Sequence, residues 1–168
     1  GSNLEAKDHW CGYTALHRAV ESGHLDAINT LIEKGSSLED KDNYGLTALH
    51  RAAQKGHVEA INTLIEKGSS LEAKDKWGYT ALHRAAQKGH VEAINKLISL
   101  GANIDSKSNL DITPLLLSLR NDKTECSCLL IKKGADTSFS KGLTDKEFNE
   151  RFASALIFGI LSPIIIPA

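Results

Sequence analysis

A period of 33 residues runs through this sequence and restricts its fold more than any other feature. Gly12, Gly45 and Gly78 lie 33 residues apart, and the segments 50–62 and 83–95 are identical. Histidines recur with the same spacing in two series: His17, His50 and His83, then His24, His57 and His90. A period of this length predicts a stack of similar units, each packed on its neighbours, rather than one globular core.

One unit, residues 45–77, carries the local signals of two short helices. Thr47 can accept hydrogen bonds from the free N–H groups of a first turn, so it predicts the start of the first helix. Gly56 ends that helix. A second is predicted over about 57–67, and Gly68 stops it as glycine commonly does after a helix. Helices of about ten residues are marginal alone in water, so each unit needs the next one for stability.

These motifs resemble the ankyrin repeat pattern. GYTALHRAV, GLTALHRAAQKGH and GYTALHRAAQKGH, each followed by LIEKG or LISLG, match it over about residues 3–136. Three alanines replace the usual proline, and they are Ala15, Ala48 and Ala81. A fourth copy departs further, since Asp111 takes the glycine position and Leu116 the histidine position. The resemblance implies an all-α ankyrin repeat solenoid of helix-turn-helix units with hairpin-like tips, and protein–protein recognition as its function.

The period also divides the chain. Gly1 and Ser2 resemble the remnant of a cleaved expression tag. The remaining divisions are a partial N-terminal repeat and loop at 3–11, four repeats at 12–44, 45–77, 78–110 and 111–143, and a C-terminal capping helix with an apolar tail at 144–168. Residues 3–8 match the end of a repeat whose helices are absent. We therefore expect either a start inside a longer array or an unusually short natural cap.

The C-terminal segment leaves three interpretations open. Thr144 and Glu147 form a capping-box motif, which predicts a helix over about 144–161 that caps the fourth repeat. The uncharged run 152–168 is alternatively the start of a membrane-spanning helix, although a span needs about 20 apolar residues and this run has 17 with two prolines near its end. The third interpretation is an unstructured or partner-docking tail.

Composition and motifs exclude several classes of function. The net charge is −1, which argues against general binding of nucleic acid. Three cysteines without metal-type spacing predict reduced thiols and a cytoplasmic protein, or one delivered into a host cytoplasm, with membrane attachment only through the tail. Very regular repeats with an apolar tail are associated, within the family, with effectors of intracellular bacteria. We expect a monomer.

No catalytic or cofactor motif emerges from the sequence. Gly-x-Ser-x-Gly, His-Glu-x-x-His, Cys-x-x-Cys and a phosphate loop are all missing. Equivalent histidines of stacked repeats lie about one layer apart, too far to share an ion at ligand distances of about 2 Å. The resemblance implies that His17, His50 and His83 bond the backbone of an adjoining loop. We predict no enzyme activity, no cofactor and no metal.

The resemblance places partner binding in a concave groove lined by the turn tips and the exposed sides of the first helices. The tip positions are Trp10, Cys11, Tyr13, Asn43, Tyr44, Leu46, Lys76, Trp77, Tyr79, Asn109, Leu110 and Ile112. The helix positions are Glu21, Ser22, Gln54, Lys55, Gln87, Lys88, Arg120 and Asn121. Both tryptophans and all three tyrosines fall among the tips, and such residues are enriched at binding hot spots. Packing of tip against tip is the alternative.

Arg18, Arg51 and Arg84 follow the first histidine series by one position, again with two interpretations. They form a row of guanidinium groups that grips an acidic or backbone-rich peptide, or each pairs with a nearby carboxylate. The predicted function is recognition of a protein or peptide through the groove. The alternative is an ankyrin segment of a larger membrane-anchored or secreted effector.

Overall fold

The computed structural model describes residues 3–138, and it folds them into eight helices without a strand. The helices are α1 (Ala15–Ser22), α2 (Leu25–Glu33), α3 (Ala48–Lys55), α4 (Val58–Glu66), α5 (Ala81–Lys88), α6 (Val91–Ser99), α7 (Pro114–Arg120) and α8 (Thr124–Lys132). This all-helical arrangement confirms the predicted solenoid.

The helices form two parallel rows of the stack. The first helices of successive repeats pack on one another in the order α1, α3, α5, α7, and the second helices in the order α2, α4, α6, α8. Ala52 and Ala53 of α3 and Ile61 and Leu64 of α4 are fully buried in the core between the rows. The small alanines allow the first helices to approach closely, while larger core side chains come from both rows, such as Leu49 of α3 beside Ile61 and Leu64 of α4.

The helix boundaries follow the local signals. The second helix predicted over about 57–67 is observed at Val58–Glu66, and Thr47 is the N-cap of α3. Gly56 ends α3 with a φ of 75°, and Gly68 has a φ of 104°. Both glycines therefore lie in the left-handed region, which an ordinary side chain disfavours.

The fourth repeat has aspartates where the other repeats have glycines. At Gly78 (φ 78°), an added Cβ would lie 2.6 Å from the backbone nitrogen of Asn109, so the next tip leaves room only for glycine. Asp111, the equivalent residue, has a φ of 55°, and Asp122, at the position of Gly89, has a φ of 54°. These aspartates keep the turn at the cost of a less favourable backbone.

Replacing Asp111 or Asp122 with glycine should therefore stabilise the protein. A left-handed conformation costs an L-residue about 1–2 kcal/mol, and the added chain entropy of glycine offsets part of the gain. We expect each variant to gain about 0.5–1 kcal/mol in urea unfolding followed by circular dichroism. Asp26→Gly, the same change inside helix α2, should instead lose about 1 kcal/mol. If the free energy of unfolding changed in the same direction at the two turn positions and at Asp26, that result would contradict the backbone argument.

Several predictions fall on residues outside 3–138. They are the tag remnant at 1–2, the last residues of the fourth repeat at 139–143, and the capping helix and apolar tail at 144–168. Within the described part of the chain, each helix is too short or too polar to cross a bilayer.

Candidate protein-binding surface

An aspartate shapes each of the second and third turn tips. Asp42 accepts hydrogen bonds through Oδ1 from the N–H groups of Tyr44 (2.8 Å) and Leu46 (3.0 Å). Asp75 does the same for Trp77 (2.9 Å) and Tyr79 (3.0 Å). The carboxylate thereby fixes the turn that carries the exposed aromatic ring.

Backbone hydrogen bonds join successive tips. The N–H of Asn43 donates to the carbonyl of Cys11 (2.9 Å), that of Lys76 to Tyr44 (3.3 Å), and that of Asn109 to Trp77 (3.1 Å). The tips of all four repeats therefore form one continuous edge rather than four separate loops.

Charged side chains also tie each tip to the next repeat. Lys41 donates through Nζ to the carbonyl of Lys74 (2.8 Å), and Glu39 accepts through Oε1 from the N–H of Ser70 (2.8 Å). The equivalent bonds elsewhere are Lys7 to Lys41, Lys74 to Lys107, Ser37 to Glu5 and Asn103 to Glu72. These charges serve the joints between repeats.

Four large apolar side chains project from this edge. Trp10 is 88% exposed, Tyr44 48%, Trp77 47% and Leu110 79%, and we call these four residues the tip row. The rings of Tyr44 and Trp77 stack with their centroids 6.3 Å apart and their planes at 17°. These two rings therefore pack tip against tip while about half of each surface stays open to solvent.

The arginines of the second and third repeats are buried ion pairs. Arg51 Nη2 lies 2.5 Å from Asp42 Oδ2, and Arg84 Nη2 lies 2.5 Å from Asp75 Oδ2; the arginine side chains are 9% exposed and the carboxylates 0%. Of the two interpretations, pairing with a carboxylate is the one the structure contains. Arg18 is 55% exposed and pairs with Asp8 at 2.5 Å. The row of free guanidinium groups is therefore corrected to three ion pairs, two of them buried.

Several other predicted tip residues lie beneath the surface. Tyr13 is buried between the guanidinium groups of Arg18 (4.5 Å to the ring centroid) and Arg51 (4.6 Å). Leu46 and Ile112 are buried as well, and Tyr79 is half-buried with Arg84 5.0 Å above its ring. Burial removes Tyr13, Leu46 and Ile112 from the accessible surface, so they support the tips from below.

The tip row continues onto the first helices. Arg84 lies 5.0 Å from the ring of Trp77 and donates through Nη1 to Gln87 (2.9 Å); Arg51 donates in the same way to Gln54 (3.2 Å). These contacts bring the tips and the helix ends together in one surface. We call it the groove, and its members are the tip row with Asn43, Lys76, Gln54, Lys55, Gln87, Lys88 and Arg120.

The first histidine series lies behind the groove as framework. His50 Nε2 lies 2.8 Å from the carbonyl of Tyr79 in the next tip, and its Nδ1 accepts from the N–H of Thr47 (3.2 Å). A carbonyl only accepts, so Nε2 carries the proton and the ring is neutral. Burial lowers the pKa of His50 to about 4, and it also lowers the pKa values of His17 and His83. The family expectation of a bond to the adjoining loop is confirmed.

Sequence reasoning offered pairing with a carboxylate but did not identify the aspartates that neutralise the arginines. Their signal was present in the repeat itself. Asp42 with Arg51, and Asp75 with Arg84, recur together, while the fourth repeat replaces both members of the pair, by Ser108 and Leu117. Paired replacement within an internal repeat indicates contact.

Burial disfavours the thiolate form of two of the three cysteines. Cys11, Cys126 and Cys128 are free, and burial raises the pKa of Cys126 to about 11 and also raises that of Cys128. Residues 3–138 contain no cluster of three or more histidine, cysteine or acidic side chains placed to hold a metal.

Comparison with known proteins agrees with the fold. The family model described as ankyrin repeats (3 copies) matches residues 1–75 and 69–141. Proteins named Inhibitor of Bruton tyrosine kinase match over 46 residues, with 46% identity in Xenopus laevis and in Mus musculus and 44% in Homo sapiens. The match covers 26–27% of this chain and only 3% of each relative. The similarity therefore concerns the repeat.

Proposed function

Because this chain belongs to the ankyrin repeat family, we propose that it binds a protein or peptide partner through the groove. Ankyrin repeats are in general protein–protein interaction modules and are typically not enzymes. The observation that carries the proposal is the tip row, with four large apolar side chains exposed along one edge. Aromatic side chains of this kind supply much of the binding energy at protein interfaces.

The groove is suited to binding because its anchors are held in place before a partner arrives. Trp77 stacks on Tyr44 and lies under the guanidinium of Arg84, which a buried carboxylate fixes. Association costs free energy when side chains and loops must be ordered, and a fixed anchor reduces that cost. Rigid presentation of the tips is therefore the proposed mechanism.

Substituting Trp77 with alanine tests the proposal. Peptides are first selected against the wild-type protein from a random library displayed on phage, and the tightest synthetic peptide is then titrated by fluorescence anisotropy. We expect Trp77→Ala to weaken binding at least about tenfold, because hot-spot truncations cost about 2 kcal/mol or more.

Leu25 provides the matched control, since it is an exposed large apolar residue on helix α2, outside the groove. Leu25→Ala should leave the affinity unchanged. Equal affinities for the wild type and Trp77→Ala, with the fold intact by circular dichroism, would move the binding site away from the groove.

The finer alternatives remain predictions from the sequence. Membrane attachment, as part of a larger anchored or secreted effector, depends on the tail at 144–168, which lies outside the described residues. The cytoplasmic location depends on the three free thiols. Inhibition of a tyrosine kinase belongs to the named relatives, of which this chain covers too little to transfer that activity.

A further inference from the structure

One position near the ends of the first helices changes its charge from repeat to repeat. The residues that occupy it at the ends of the first helices are Glu21, Gln54, Gln87 and Arg120. The position that follows carries Ser22, Lys55, Lys88 and Asn121. These two positions are therefore acidic in the first repeat and basic in the second, third and fourth, although the net charge of the chain is only −1.

In the first repeat the negative charge is neutralised by cations of the same chain. Glu21 Oε1 lies 3.4 Å from Nζ of Lys55 in the next repeat, and Glu21 Oε2 lies 3.6 Å from Nη1 of Arg18 in its own helix. This ion pair shows how a lysine at the end of one first helix pairs with a carboxylate at the end of the preceding first helix.

At the basic end the corresponding carboxylate is absent. A shift of 33 residues converts the pair Glu21 and Lys55 into Gln54 and Lys88, and Gln54 bears a neutral amide. Both Lys88 and Arg120 are exposed. Throughout residues 3–138, no carboxylate lies within 4 Å of the charged atoms of either side chain. By contrast, the buried charge of Arg84 is neutralised by Asp75.

From this asymmetry, and on the basis of the proposed function, we infer that Lys88 binds a carboxylate of the partner, with Arg120 as a second cation one repeat further along the chain. The carboxylate takes the place relative to Lys88 that Glu21 takes relative to Lys55. The partner is thus an acidic peptide segment, with Asp or Glu a few residues from an apolar side chain that contacts Trp77 or Leu110.

Gln54→Glu is the sharpest test, because it supplies Lys88 with a carboxylate from the chain and leaves both cations in place. Random peptides displayed on phage are selected against the wild type and against this variant. We expect enrichment of Asp and Glu near an apolar residue for the wild type and loss of the acidic preference for Gln54→Glu. For one selected synthetic peptide, Gln54→Glu should weaken binding about threefold to tenfold, within the range of a single ion pair.

Two further variants complete the test. The double variant Lys88→Gln with Arg120→Gln should lower the affinity for the acidic peptide by a similar factor. It should bind this peptide no more tightly than it binds a version of the peptide with Gln in place of Glu. Lys67→Gln removes an exposed lysine at the end of α4, outside the groove, so the acidic preference should persist.

The outcomes separate the two proposals. Peptides that are apolar, lose affinity with Trp77→Ala and show no acidic enrichment would overturn the carboxylate site and leave groove binding standing. Acidic enrichment that survives both Gln54→Glu and the double variant would place the carboxylate elsewhere and overturn the inference. A selection that yields no peptide dependent on Trp77 would overturn both.

Discussion

Replacing Asp75 with serine should lower the free energy of unfolding by about 3–5 kcal/mol, because it leaves the buried guanidinium of Arg84 without its partner. Serine is the natural residue at the same position of the fourth repeat. There, Ser108 Oγ accepts from the N–H groups of Leu110 (3.2 Å) and Ile112 (3.1 Å). The substitution therefore preserves the hydrogen bonds of the tip and removes only the charge.

A double variant separates the lost pair from the unpaired charge. Asp75→Ser with Arg84→Leu reproduces the combination Ser108 and Leu117 of the fourth repeat, where no charge is buried. It should recover at least half of the stability lost by Asp75→Ser alone, measured by urea unfolding. A double variant as unstable as the single one would show that the cost comes from other contacts. Asp8→Ser, opposite the exposed Arg18, should have a much smaller effect.

Acidification from pH 7 to pH 4 should destabilise the protein by about 3 kcal/mol through His50 alone, with further losses from His17 and His83. The folded pKa of His50 is lowered to about 4 from an ordinary value of 6.5. Between these values the unfolded chain binds more protons than the folded one, so stability is complete above about pH 6.5 and is lost as the pH falls toward 4. Protonation would also place an N–H on Nδ1 against the N–H of Thr47.

Urea unfolding at intervals between pH 7 and pH 4 measures this slope. His50→Gln should flatten it, because it removes the buried titratable ring. The carboxyl of Asp8 does not confuse the result, because hydrogen bonding from the Cys11 N–H lowers its pKa to about 2 and its contribution is lost only below about pH 4. A wild-type stability that is flat over this range would contradict the neutral, buried histidine.

The architecture was predictable because it is repeated. Thr47, Gly56 and Gly68 each carry a local signal, and three copies of that signal leave one consistent arrangement of helices. The joint made by His50 was accessible only through the resemblance, since a contact 29 residues along the chain has no local signature.

The groove was predictable in position and less so in exposure. Whether the guanidinium of Arg51 is free of an ion pair depends on whether the turn tip places Asp42, nine residues earlier, against helix α3. The sequence pattern places both residues in the repeat but does not give that distance. Tyrosine is a residue type that is common at binding sites, yet the guanidinium groups of Arg18 and Arg51 lie over the ring of Tyr13. Burial of such side chains is decided by contacts between repeats.

The identity of residues 50–62 and 83–95 means that the joints of the second and third repeats to their predecessors are interchangeable. A unit such as 45–77 makes the same connection to its predecessor as 78–110 makes to its own, through the histidine, lysine and glutamate bonds described above. Loss or duplication of one whole unit would therefore preserve every type of joint. The length of the groove is therefore adjustable in single-repeat steps, while the residues at its two ends stay the same.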